Sequence, residues 1–333
     1  MKKQNNRLKL EQLEDRQMMA GNVLAFMSSG NLHVVEASGH IGRGQAVQVS
    51  QLSNGNIRVQ GLSSQDGGTS LINGGTFRDF TVPGNLNVHL GGGRDNVVLG
   101  RSAPSTFNNV YINTGAAVAA GDADRDFVNV ERVTTRGHLT VETGASSDYL
   151  SVFNNRIGDT YGIDNLSLRT GTGADYINVN NANVNGNLTV NTYTGAERDA
   201  DVVYLEAAFA RSNLQAFTGG GDDNLTVVNG FAGNDAFFAT GADNDTARFT
   251  EVRAIDDFWA YFDEGNDTLD MQYLRADVLT LDGGIGTDRL TKSIEGEVNQ
   301  LIETNWESPV FPWYYNTYFV NSPNTMTLQR ATF

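Results

Sequence analysis

The stretch Leu214–Val227, LQAFTGGGDDNLTV, sets three glycines and two aspartates between two short runs in which apolar residues alternate. Alternation with a period of two marks a half-buried strand, so the stretch reads as strand, turn, strand. Gly219, Gly220 and Gly221 give the turn its backbone freedom. Asp222 and Asp223 then serve one of two purposes. They tie the turn to nearby backbone N–H groups, or they offer oxygen ligands to a cation.

The stretch is not alone. Aligned on Asp223, the same frame recurs at Asp95, Asp126, Asp148, Asp175, Asp201, Asp245, Asp267 and Asp288, with spacings of 31, 22, 27, 26, 22, 22, 22 and 21 residues. In seven of the nine copies an apolar alternation starts nine residues upstream, at Leu86, Leu139, Leu166, Leu214, Ala236, Phe258 and Leu279. The copies that begin at Val110 and Leu188 carry insertions before their aspartates. A period near 22 residues signals a repeat architecture. One unit holds two or three short strands and cannot close a core alone, whereas stacked units can.

The expected fold is therefore all-β: a parallel β-helix, or solenoid, of about nine coils of ~22 residues over 83–291, each adding ~4.8 Å. The general preference of parallel crossovers makes it right-handed. A β-sandwich is the competing arrangement, but its loops need not repeat, and the constant nine-residue offset argues against it. Thr114, Thr143, Thr170, Thr192, Thr218 and Thr240 fall beside the turns and are expected to line up along the stack.

An open solenoid end needs a cover. Residues 21–82 read as a hairpin-like cap, with a strong turn signal at Asn54-Gly55. Residues 292–333 leave the frame and gather Trp306, Phe311, Trp313, Tyr314, Tyr315, Tyr318 and Phe319. They read as an aromatic cap, with a sugar-stacking platform as the alternative. Residues 1–20 form a charged leader without the apolar core of an ordinary signal peptide.

Charge narrows the function classes. The formal net charge is −16, and after residue 20 the chain holds 36 acidic against 18 basic residues. Such a surface repels nucleic acid and anionic membranes. No apolar run approaches the ~20 residues of a membrane span. There is no cysteine, so no disulfide holds the fold. The four histidines have no metal-ligand spacing.

Leu10-Glu11, Leu13-Glu14-Asp15-Arg16 and Met18-Met19-Ala20 resemble the "LExLExRxLLA" leader, the LEPR-XLL motif, which opens many large exported or surface proteins of planctomycete bacteria. Met18 and Met19 stand where that motif has leucines. The glycine- and aspartate-rich coils over most of 21–290 are similar to the repeat regions of those proteins. The resemblance implies export to the cell surface or beyond.

One copy, Gly283–Thr291 (GGIGTDRLT), fits the G-G-x-G-x-D-x-U-x turn of calcium-binding RTX β-rolls. Candidate metal ligands are therefore Asp95, Asp175, Asp222, Asp223, Asp243, Asp245, Asp263, Asp267 and Asp288. Asp243 and Asp263 replace glycines and add oxygen. Here one such turn occurs per coil, where RTX turns run consecutively, so any Ca2+ would be held weakly along one edge. Aspartates stacked ~4.8 Å apart also repel by roughly 0.9 kcal/mol per neighbour pair in water, unless solvated, hydrogen-bonded or bridged.

The leading expectation is a non-enzymatic, exported surface or matrix protein acting as a rigid scaffold or adhesion module, with polysaccharide or other surface proteins as partners. The rival is a polysaccharide lyase or hydrolase, with Arg169, Arg248 or Arg289 as conceivable base residues and the insertions at 115–125 and 193–200 as the better places for a site. A third reading is a fibre subunit that stacks end to end.

Overall fold

The computed structural model describes residues 22–38, 42–65, 68–81, 84–115, 125–158, 164–192, 198–293, 298–306 and 308–310. The leader, most of both insertions and the aromatic residues from Phe311 onward lie outside them. The chain is an all-β parallel β-helix. Successive units add strands alternately to two long sheets, one of 13 strands and one of 15. Leu166–Arg169 pairs in parallel with Leu139–Glu142 on one side and Leu188–Asn191 on the other. In the second sheet Tyr176–Val184 lies likewise between Tyr149–Ile157 and Val202–Ala210. Parallel pairing through both sheets removes the β-sandwich.

The register follows from the apolar pattern. Leu166 aligns with Leu139 and Leu188, and Ile177 with Leu150 and Val203. All are fully buried, so each alternating position becomes an internal column. A third inward pair follows the second strand in most coils, for example Ala182 and Val184, or Val252 and Ala254. Side-chain volume is balanced within coils: Phe238 and Phe249 share their coil with Ala236 and Ala247.

Each coil from that of Asp95 to that of Asp267 bends between these second and third segments at the sixth residue after its aspartate. Arg101, Arg132, Asn154, Asn181, Ala207, Asn229, Glu251 and Tyr273 hold φ between 48° and 58° there. Asparagine tolerates this left-handed conformation; the other types cost about 1–2 kcal/mol each. The stack imposes the bend whatever residue occupies it.

At the start, Asn22–Ser28 and Asn31–Glu36 form an antiparallel hairpin, as do Ala46–Gln51 and Ile57–Gly61. Their inner strands pair in parallel with the first coil, at Leu32 with Leu86 and Ala46 with Asn96. At the other end the stack runs beyond the sequence frame. Val298–Thr304 pairs with Ala276–Asp282, and Ser308–Val310 with Arg289–Ser293. Trp306 packs there against the core, edge-on to Phe262 at 5.6 Å.

Candidate functional site

The glycine-aspartate corner joins the two sheets. Gly241 has φ +95, and a Cβ on it would lie 1.6 Å from the Gly219 carbonyl oxygen of the preceding coil. Asp243 holds φ +79, so it takes a backbone conformation that glycine holds at the matching Gly221. Tight stacking with positive φ explains the recurrent glycines without a ligand.

The frame aspartates form one continuous column. Asp95, Asp126, Asp148, Asp175, Asp201, Asp223, Asp245, Asp267 and Asp288 are 0–4 % exposed. In each, Oδ1 accepts the backbone N–H of the corresponding residue one coil earlier. The chain of bonds runs from Gln45 N–H to Asp95 at 2.6 Å, through Asp201 to Asp223 at 2.8 Å, to Asp267 to Asp288 at 2.8 Å. The threonines line up beside it as expected. Thr192 and Thr218 donate their hydroxyls to the carbonyls of Thr218 and Thr240, both at 3.0 Å.

Burial raises the pKa of four members of this column. It pushes Asp201 and Asp245 up to about 8, and Asp223 and Asp267 to about 6. Backbone N–H bonds pull all four back down. Neighbouring carboxylates raise them again. All four are therefore held above the ordinary carboxylate range, Asp201 and Asp245 furthest. Backbone N–H bonds to Oδ1 and burial that favours the protonated form both ease the repulsion expected of stacked carboxylates, while the Oδ2 atoms of Asp201, Asp223, Asp245 and Asp267 are buried without a hydrogen-bond partner.

The remaining candidate ligands sit outside the column. Asp222 and Asp263 are exposed and Asp243 half-buried. Asp222 Oδ1 accepts the N–H and the Nδ2 of Asn244, at 2.9 and 3.1 Å. Asn244 receives Asn266 in the same way, and Asn266 receives the N–H of Thr287. A shallow open cleft at this corner is lined by Arg198, Ala200, Gly221, Asp222 and Asp243. Among the described residues no group of three or more His, Asp or Glu side chains is placed to hold a metal ion.

A further ladder, at the opposite corner, escaped the sequence reading. Asn85 accepts the N–H of Asn109 at 3.0 Å, Asn109 that of His138, and His138 Nδ1 that of Asn165. Asn165, Asn187, Asn213 and Asp235 continue it to Asp257. Its signal was present: a polar residue immediately precedes Leu86, Val110, Leu139, Leu166, Leu188 and Leu214. Because the polar type changes from Asn to His to Asp, it does not read as a motif.

The arginines considered as base residues face outward. Arg169 pairs with Glu142 at 3.2 Å and Arg248 with Asp270 at 3.7 Å, while Arg289 is exposed. Glu142 also accepts the Tyr111 hydroxyl at 2.6 Å and Asn113 Nδ2 at 3.3 Å, and the His89 ring lies 5.1 Å from that of Tyr111. Sequence reasoning singled out Arg169 alone, because the others come together only when coils stack. No family model matches the chain, and no curated protein or solved structure matches it.

Proposed function

We propose that the protein is a non-enzymatic, exported rigid module of the cell surface or matrix, acting as a spacer or adhesion element toward polysaccharide or other surface proteins. What supports this reading is the continuity of the corner ladders: the aspartate column links every coil from Gln45 to Asp288 by a buried bond along the axis. A stack fastened at its corners resists bending and extension, as a spacer must. In this reading a weak calcium contribution is confined to the outer carboxylates Asp222, Asp243 and Asp263, because the column aspartates are closed off from solvent and their Oδ1 atoms already accept backbone N–H groups.

Fractionation of cells that produce the full chain tests the location: a wholly cytosolic product sinks the surface assignment. Melting of the purified chain in EDTA, in millimolar calcium and in equal magnesium tests the ion. A rise with calcium alone is expected if the outer carboxylates bind it, and identical melts remove calcium from the proposal.

The polysaccharide lyase reading has one observation in its favour, the outward cluster of His89, Tyr111, Asn113, Glu142 and Arg169. A tyrosine hydroxyl bonded to a carboxylate beside a guanidinium is a conceivable proton-transfer set. Its carboxylate is already occupied by three donors, which suits surface charge balancing better. Release of unsaturated products from a panel of polyuronates, abolished in Tyr111→Phe, would replace the scaffold reading with this one.

A further inference from the structure

The outward side chains of the first sheet stand in two columns set by the parallel register. One passes through Gln215, Phe237 and Trp259; the other through Asn191, Phe217, Ala239 and Tyr261. Four aromatic rings thus meet on three successive coils. The Phe237 ring lies 5.4 Å from Phe217, 5.5 Å from Tyr261 and 6.3 Å from Trp259. The small side chain of Ala239 leaves room between Phe217 and Tyr261 for Phe237 to reach both.

The geometry distinguishes this group from the stacked outward aromatics of the second sheet. Phe127, Tyr149 and Tyr176 stack at 4.9 and 5.0 Å with planes 6° apart, and Phe209 and Phe231 at 4.4 Å and 8°. Those rings cover one another's faces, as packing alone would have them do. In the ribbon the planes are tilted by 36°, 41° and 50°, so no ring covers its neighbour's face fully. All four are only half-buried. The ribbon presents partly open aromatic faces along the axis, advancing ~4.8 Å per coil.

We infer that this ribbon is a binding strip for an extended neutral polysaccharide, one that runs along the stack and lays the C–H faces of its sugar rings on Phe217, Phe237, Trp259 and Tyr261. An aromatic face suits the apolar side of a sugar ring. The advance per coil is close to the length of one sugar residue in an extended chain, so successive sugars meet successive coils. Beside the rings, Asn191 and Gln215 offer amides that donate to and accept from hydroxyls. Charge selects among polysaccharides. No side chain in either column from Thr189 to Asp282 is cationic, and the chain carries a net charge of −16, so a polyanion finds repulsion and no partner. The inference deepens the adhesion reading and rests on it for its biological setting; binding by the purified protein is measured separately, so a failure of export leaves it standing.

The test is calorimetric titration of the purified full chain with neutral hexasaccharides of glucose, mannose, xylose and N-acetylglucosamine in β-1,4 linkage, and with a hexagalacturonate. Binding of at least one neutral oligomer is expected, weakened tenfold or more in Trp259→Ala and in Tyr261→Ala, and unchanged in Tyr149→Ala on the self-covered stack. No binding of any neutral oligomer at millimolar concentration overturns the inference. So does preference for the hexagalacturonate, or binding that both ribbon variants leave intact. A change of oligomeric state in Trp259→Ala assigns the face to a second copy, and a loss of melting temperature as large as that of a core substitution assigns it to this chain's own residues. Either result also overturns it.

Discussion

Asp245 holds a proton at neutral pH that it would release in the unfolded chain, since burial lifts it from 3.8 to about 8. A carboxyl raised on folding binds more protons folded than unfolded, so its contribution to stability falls as pH rises from about 4 to about 8. Asp201 acts with it, and Asp223, Asp267 and Glu36 add the same sign up to about 6 or 7. His89, held low by burial, opposes them. Urea unfolding is therefore expected to give greater stability at pH 5 than at pH 9. Asp245→Asn keeps the Oδ1 acceptor while removing the charge, and should exceed the wild type at pH 9. Asp245→Ala leaves the Asp223 N–H buried without its acceptor and should cost about 1–3 kcal/mol at either pH. Stability that rises from pH 5 to pH 9 would contradict the buried, protonated column. The glycines invite a paired comparison. Gly241→Ala meets a backbone carbonyl at 1.6 Å and should lose well over the about 1–2 kcal/mol that positive φ alone costs, whereas Gly55→Ala, with open space around it, should lose only that. The aspartates, threonines and corner glycines were legible because one chemistry recurs at one place. The left-handed bend was not, since Arg101, Ala207, Glu251 and Tyr273 share no property that would announce it.

At the scale of the strand, core volume is shared between neighbours. Phe238, Phe249 and Phe258 meet with centroids 4.7, 5.2 and 5.3 Å apart, from two sheets and two coils. Phe249→Ala should cost about 3–5 kcal/mol, since rigid strands cannot close on the void. Phe153→Ala, on the outer face and 38 % exposed, should stay within about 0.5 kcal/mol of wild type in the same denaturant titration. A near-equal effect of the two would mean that the inward and outward columns are misassigned. Apolar alternation made both main strands of each coil readable. The strand Val298–Thr304 was missed because only Val298, Leu301 and Trp306 near it pack against the core, and no glycine-aspartate turn announces it. The aromatic ribbon was hidden for another reason: it draws on three strands, with Phe217, Phe237 and Trp259 20 and 22 residues apart, and only the register places them side by side.

For the whole molecule, contacts run between neighbouring coils, so stability is a sum over units and their interfaces. Removal of residues 223–244 joins Asp222 to Asp245 and restores the sequence pattern of the corner. That variant should fold to a rod about 4.8 Å shorter, measured by small-angle scattering. Removal of 223–233 breaks the frame and should abolish cooperative unfolding. Failure of the first deletion to fold, with the full chain folding normally, would show that the coils are less interchangeable than their ladders suggest.

The two main ladders point in opposite directions. At the asparagine corner the later coil donates to an acceptor already in place, as Asn187 does to Asn165. At the aspartate corner the earlier coil donates, and Asp201 must wait for Asp223 to follow. Each coil therefore meets an acceptor of the coil before it at one corner and offers a donor to the coil after it at the other. A rod ending at any coil thus carries an unfilled donor at one corner of its tip and a waiting acceptor at the other, so its two ends are chemically unlike.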